Sequence, residues 1–317
     1  MRIDVHAHLL PAALPDWRAR GGDRWPALVV TADGGRRLEP SGRIVDDDYW
    51  SLSRRTEVLD GLGIDVQVLS PLPPLLPWWA EPGDAREWCR AVNEATAAAV
   101  SSGRGRFLGL GIVPLQDTDL ATAEVDRIKD LGLVGLEIGT AVDAERSFAD
   151  ESVDDFLVAC AAADLPILLH PNRPNPYGTT HPALDAGIWL TSDTALVMGE
   201  RLLRNPDAPA GLRVCLAHGG GSLVWQWSRV ATSTGRSAEL PEWVSVDTAG
   251  CTCRQVDHLM EVVGADRVLL GTDLPAGRRP TIAALLDGLT GSPAGERISA
   301  TNPVSFFEPG LARAAVR

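Results

Sequence analysis

Eight short apolar runs, separated by longer amphipathic segments, constrain the fold of this 317-residue chain more than any other feature. The runs lie at 3–6, 66–69, 107–113, 134–138, 167–170, 213–217, 244–246 and 268–270. Helical periodicity falls between and after them, at 51–63, 84–102, 118–131, 152–163, 191–204, 222–232, 253–264 and 280–289. Strands alternating with helices predict a parallel sheet, because parallel neighbours need a long crossover rather than a tight turn. Eight repeats of the unit predict an α/β fold closed into a single (β/α)8 TIM-type barrel, one domain over 1–317. Two intervals break the rhythm. Residues 11–50 are rich in Pro, Gly, Arg and Asp and include Val29-Val30-Thr31 and Arg43-Ile44-Val45. They predict a small insertion after strand one, a β-hairpin capping the barrel mouth. Residues 171–190 carry four prolines and predict a long loop after strand five, a length that often marks function.

The formal charge of −13 argues against nucleic acid or an anionic membrane surface as partner. It does not exclude an anionic small substrate, since local positive charge outweighs a global field at short range. No apolar run approaches the ~20 residues that span a bilayer. The first residues lack the basic, apolar and small-residue series of a secretory signal, so the expected compartment is the cytoplasm. Five scattered cysteines argue against a disulfide framework, and Cys251 and Cys253 read as ordinary thiols near a strand end.

Active sites of such barrels gather where the strands end. Four of the six histidines fall at predicted strand ends: His6 and His8 on strand one, His170 on strand five, His218 on strand six. Strand side chains alternate, so His6 and His8 share a face. Strand eight ends Leu270-Gly271-Thr272-Asp273, which aims a carboxylate into the same mouth. A lone histidine is more often a core or loop residue. Three strand-end imidazoles with a carboxylate form the donor set of a borderline divalent cation, so His6, His8, His170 and Asp273 are predicted to bind one metal ion, Zn²⁺ by preference. His218 precedes Gly219-Gly220-Gly221, where the backbone can approach a ligand closely. It is assigned to proton transfer on a metal-bound water, whose pKa a cation lowers to about 7. A fifth ligand or a support behind one is the competing role. His181, in the long loop, and His258, in helix seven, read as surface residues.

Four stretches together resemble the amidohydrolase superfamily: Ile3-Asp4-Val5-His6-Ala7-His8-Leu9-Leu10-Pro11, Leu169-His170-Pro171, Ala217-His218-Gly219-Gly220-Gly221 and Leu270-Gly271-Thr272-Asp273-Leu274-Pro275. Within it they are most similar to the branch of 2-amino-3-carboxymuconate-6-semialdehyde decarboxylase and related aromatic-acid decarboxylases. The similarity runs nearly end to end, through Arg106-Phe107-Leu108-Gly109-Leu110-Gly111 and the closing Asn302-Pro303-Val304-Ser305-Phe306. The resemblance implies a metal-dependent, non-oxidative decarboxylase of an unsaturated or aromatic carboxylic acid. It implies one divalent metal on His6, His8, His170 and Asp273, a water activated by His218, and a proton relayed by Asp273. Branches with two metals bridge them through a carbamylated lysine on strand four. Strand four here ends Leu136-Glu137-Ile138-Gly139-Thr140 and the chain's one lysine, Lys129, lies in the preceding helix, so a mononuclear site is implied.

A substrate's acid groups call for arginines, whose planar fork fits a carboxylate. Arg229 stands at a family arginine's distance after the strand-six motif. Arg236 lies about one residue from where the decarboxylase's neighbouring subunit donates another, which with family habit implies a homodimer. Both also fit solvated surface arginines. The family has an aromatic residue after the strand-five His-Pro, where this chain has Asn172 and Arg173. The insertion at 42–48 is shorter and acidic where the family offers a substrate arginine, and Arg173 is the candidate replacement. Trp189 is a candidate pocket wall. Hydrolysis of a lactone, amide or other acyl substrate, or hydration, is the alternative chemistry for the same site. A catalytically idle ligand-binding barrel is the alternative from another class.

Overall fold

The apolar runs become strands buried on both faces, as a parallel sheet covered by helices requires. The computed structural model describes residues 1–12, 14–178 and 181–314. Eight parallel strands, Ile3–Leu9, Val66–Pro71, Phe107–Gly111, Gly135–Gly139, Ile167–His170, Val214–Leu216, Val244–Asp247 and Val268–Leu269, lie side by side in chain order. We number them one to eight. The last returns to the first: Val5 N donates to the Leu270 carbonyl at 2.8 Å, His8 N to the Leu274 carbonyl at 2.8 Å, and Ala7 bridges Leu274 in parallel. The fold is therefore the (β/α)8 barrel that the alternation predicts, with an insertion after strand one.

The helices start and stop on local chemistry. Ser51 caps Leu52–Leu62 by accepting from Arg54 N, and Gly63 ends that helix in the left-handed region at φ 66°. Asp117 caps Thr118–Asp130 by accepting from Leu120 N. Their apolar faces pack on outward strand residues such as Leu69, Leu136, Ile138, Leu169 and Leu216. Inside the barrel, Ile3, Val5, Val68, Leu110 and Leu168 pack with Phe306 and Phe307. Those two aromatics belong to a C-terminal helix, Asn302–Ala314, that the alternation alone does not predict. Asn302 pins it to the start of strand eight by donating Nδ2 to the carbonyls of Ala265 (2.9 Å) and Val268 (2.8 Å).

Strand one carries an irregularity that matters for the site. Its register against strand two shifts between Asp4 and Ala7. Ile3 and Val5 pack in the interior cluster, whereas Ala7 and Leu9 pack on the helix side. The bulge reverses the strand's phase, and an extra residue bent in this way re-aims side chains. His6 and His8 thereby enter the barrel above an apolar floor.

Two expectations are corrected. The insertion is a three-stranded antiparallel sheet, Ala27–Val30, Arg36–Glu39 and Arg43–Val45, rather than a hairpin. The middle strand, Arg-Arg-Leu-Glu, has one apolar residue, Leu38, and this packs with Trp25, Val45, Leu72 and Trp88. The long loop ends sooner than predicted. A turn at Pro182–Leu184 and a π-helical stretch at Asp185–Trp189 lead directly into Leu190–Arg204. Pro182 opens this segment, because a first turn tolerates a residue without an N–H.

Candidate active site

The strand-end histidines converge. Ligand atoms of His6, His8 and His170 all lie within 4.8 Å of one another. His6 Nε2 is 3.2 Å from His8 Nε2, and the His170 ring centroid is 5.2 Å and 5.0 Å from theirs. Asp273 Oδ1 stands 3.2 Å from His8 Nε2 and 3.8 Å from His6 Nε2. The His218 ring lies 5.1 Å from His6 and 5.2 Å from His170, on the cavity side.

The residues fit a cation on their own geometry. Each of the three imidazoles has Nδ1 occupied. His6 Nδ1 meets Asp247 Oδ2 at 2.6 Å, His8 Nδ1 meets Ser70 Oγ at 3.1 Å, and His170 Nδ1 meets the Pro171 carbonyl at 2.9 Å. Nε2 of His170 is buried with no hydrogen-bond partner among the described residues. Tied Nδ1 atoms and convergent Nε2 lone pairs are the arrangement of a histidine metal site. The electrostatics favour neutral donors at two of the three imidazoles. Burial pushes the His6 imidazolium down, but the Asp247 carboxylate overcomes it and raises its pKa to about 9. Burial holds His8 at about 4 and His170 well below the usual range, so both are neutral donors. Burial opposes ionisation of Asp273, yet the His8 hydrogen bond and the surrounding imidazoles hold its carboxyl well below the usual range.

Above this cluster opens a cavity of about 700 Å³. His8, His170, His218 and Asp273 form its floor, and Leu72, Leu190, Trp225, Gln255 and Leu259 are among its walls. Two arginines reach it, Arg43 and Arg278, and neither guanidinium makes an ion pair among the described residues. Arg43 belongs to the insertion read above as merely acidic. It lines the mouth because the third strand of the small sheet turns back over the barrel.

The predicted substrate residues, Arg173, Trp189, Arg229 and Arg236, are not among those that line this chain's cavity. Arg173 is exposed, with Nε drawn to 3.7 Å from Asp193 Oδ1. Trp189 donates Nε1 to the Arg173 carbonyl at 2.8 Å and does not line the cavity, because the helical turn beginning at Pro182 carries it outward. Arg229 is exposed on the helix Leu223–Thr234. Arg236 is exposed too and donates to the Leu203 carbonyl at 2.6 Å; the sequence places it at a neighbouring subunit's cavity rather than its own. Of the two remaining histidines, His181 caps the turn at Pro182–Leu184 and His258 stacks on Trp225 at 3.9 Å.

Several site residues escaped sequence reasoning. Asp247 ends strand seven and Ser70 lies in strand two, so the strand-end rule that found the histidines would also have found them. Glu137 faces the interior from strand four and is fully buried. Arg43 and Arg278 had no comparable signal, since Arg43 stands on a short strand of the insertion and Arg278 just ahead of the helix Arg279–Leu289, neither at the end of a barrel strand.

Comparisons with known proteins accord with this geometry. The amidohydrolase family model matches residues 3–294. The 2-amino-3-carboxymuconate-6-semialdehyde decarboxylase of Dictyostelium discoideum is 28% identical over 303 residues, covering 87% of this chain and 82% of that one. The apo structure of the Metarhizium anisopliae enzyme IDCase superposes with a TM-score of 0.83 at 20% identity, covering 97% of both chains. A dihydroxybenzoic acid decarboxylase from a Polaromonas species, with bound manganese and the inhibitor 2-nitroresorcinol, gives 0.74 at 22% identity, covering 97% of this chain and 96% of that one.

Proposed function

The chain belongs to the amidohydrolase family, and from that premise we propose that it is a metal-dependent, non-oxidative decarboxylase of an unsaturated or aromatic carboxylic acid. The observation that carries this reading is the convergence of His6, His8, His170 and Asp273 below a cavity lined by two unpaired arginines. The decarboxylases among its relatives support the same reaction class.

His6, His8, His170 and Asp273 would hold one divalent cation, which when bound supplies a Lewis acid and lowers the pKa of a water it holds. We take it to be Zn²⁺, which suits three imidazoles and a carboxylate; Mn²⁺, present in the Polaromonas structure, is the competitor. Burial lowers the pKa of His218, which leaves its imidazole neutral and able to accept a proton at the cavity floor. Asp273 presents Oδ1 to His6 and His8, and its second oxygen is assigned to relaying a proton. Arg43 and Arg278 receive acid groups of the substrate, and Leu190, Leu259 and Trp225 flank its carbon frame. Protonation of the ring or diene carbon that bears the carboxylate uses a π electron pair. Cleavage of the carbon–carbon bond then returns a pair to the frame and releases CO₂.

The protein is also read as a cytoplasmic homodimer. The exposed apolar side chains of Tyr177, Ile188 and Leu196 support self-association, and sedimentation showing monomer alone at working concentration would count against it. No helix among the described residues is long and apolar enough to cross a membrane. The reaction is tested with metal-loaded protein and a panel of aromatic and muconate-type acids, lactones and amides. CO₂ release is expected. Acid formation without CO₂ would make it a hydrolase, and water addition a hydratase. Tight binding with no turnover would make it an idle barrel.

A further inference from the structure

The cavity has one flat wall among its aliphatic ones. Leu72, Leu190 and Leu259 are branched side chains against which a ligand of many shapes can press. Trp225 lines the same cavity from the first turn of the helix Leu223–Thr234, with 51% of its surface exposed. Burial by its surroundings therefore does not fix this ring. A stack does: the His258 imidazole covers one face of the indole, with centroids 3.9 Å apart and planes 18° from parallel.

His258 comes from the following helix, Cys253–Val263, whose Gln255 and Leu259 line the cavity directly. His258 faces Trp225 instead. Its Nε2 is buried with no hydrogen-bond partner among the described residues. An unmatched buried nitrogen is costly, so hydrogen bonding at that atom does not account for an imidazole at this position. Its flatness does, because a planar ring covers an indole face that a branched side chain would touch only in part. With one face so occupied, the indole offers the cavity its opposite face and its edge, and turning it aside would break the stack. A fixed flat wall discriminates by shape. A conjugated acid is planar and can lie along it, whereas a saturated ring is puckered and meets it at a few hydrogens.

We propose that Trp225 is a specificity-determining residue that selects planar, conjugated acids over saturated ones, and that His258 is a positioning residue that holds the indole from behind. The proposal rests on the cavity being the acid-binding site and adds the device by which an unsaturated frame is told from a saturated one.

The test is calorimetric binding of benzoate and of cyclohexanecarboxylate to the whole, metal-loaded chain. The two acids share a carboxylate and a six-carbon ring and differ in whether the ring is flat. Wild-type protein is expected to prefer benzoate by roughly 2–10-fold, the range of one aromatic pair. Trp225→Leu is expected to abolish the preference and Trp225→Phe to keep part of it. His258→Leu is expected to lose most of it, and His258→Phe, which puts a flat ring back, to restore it. A loss of fold stability alone lowers binding of both acids and leaves their ratio unmoved. Equal binding of the two acids by wild-type protein would overturn the proposal, as would an unchanged preference in Trp225→Leu. An unchanged preference in His258→Leu, or one lost in His258→Phe as well, would overturn the role of His258. The reaction is judged separately: CO₂ release with no preference would sink this proposal alone, and a preference with no CO₂ from any acid would sink the decarboxylase reading alone. Wild-type protein that binds neither acid would overturn both.

Discussion

Two residues of the cavity floor, His218 and Asp273, hold a left-handed backbone, at φ 56° and 58°. Such a conformation costs about 1–3 kcal/mol in a residue with a side chain and persists only where the surroundings impose it. Close packing imposes it after strand six: a Cβ on Gly221 would fall 1.9 Å from the Thr191 carbonyl oxygen. Gly221→Ala is expected to cost roughly 2 kcal/mol or more in urea unfolding; a change below ~0.5 kcal/mol would mean that the loop yields. His218→Ala is expected to retain metal and lose about 10²–10⁴-fold in turnover, as for an acid–base group. Metal-free protein on elemental analysis would instead make His218 a ligand. Proton balance gives another check. At pH 7, His6, with its pKa raised to about 9, carries a proton on both ring nitrogens, whereas His8 and His170 carry one each. A cation must displace the His6 proton, so binding is expected to release about one proton and to tighten as pH rises toward 9. Calorimetry in buffers of different ionisation heat measures this, and heats independent of buffer would contradict it.

At the scale of elements, a buried polar chain sits behind the ligand-bearing strands. Arg55, on the helix Leu52–Leu62, donates to Gln67 Oε1 at 3.0 Å, to the His8 carbonyl at 2.7 Å and to the Asp48 carbonyl at 3.1 Å. Gln67 Nε2 and Thr272 Oγ1 both donate to Asp4 Oδ2, at 2.7 and 2.6 Å. Strands one and two, the segment after strand eight and the end of the insertion are thus tied together on the side away from the cavity. Arg55→Met leaves these acceptors unmatched, and a loss of about 2 kcal/mol is expected in chemical denaturation; near-neutral stability would show that water replaces the guanidinium. The barrel strands were legible in the sequence because each buries a whole apolar run. The strand Arg36–Glu39 was not, because one leucine leaves no period to read. The turns from Pro182 were hidden for a related reason: prolines usually mark loops, and here one opens a helical segment.

The whole molecule turns scattered donors into one site. A cation on the proposed ligands of strands one and five and the end of strand eight would clamp distant parts of the barrel. Ligand at 100 times its dissociation constant adds about 2.7 kcal/mol. Chelation is therefore expected to lower the melting temperature by about 5 °C, reversed on adding Zn²⁺. An unchanged melting curve would argue against a bound ion. By itself the sequence determined the strand–helix alternation and the histidines that converge, His6, His8 and His170, because both follow from local periodicity and from which residue types end a strand. Only the tertiary structure decided that Asp247 stands behind His6, 241 residues away along the chain. It also decided that Arg43 and Arg278, rather than Arg173 and Trp189, line this chain's cavity. Those pairings depend on barrel closure, on the bulge in strand one and on the path of irregular segments. They are long-range consequences of packing, which no local pattern encodes.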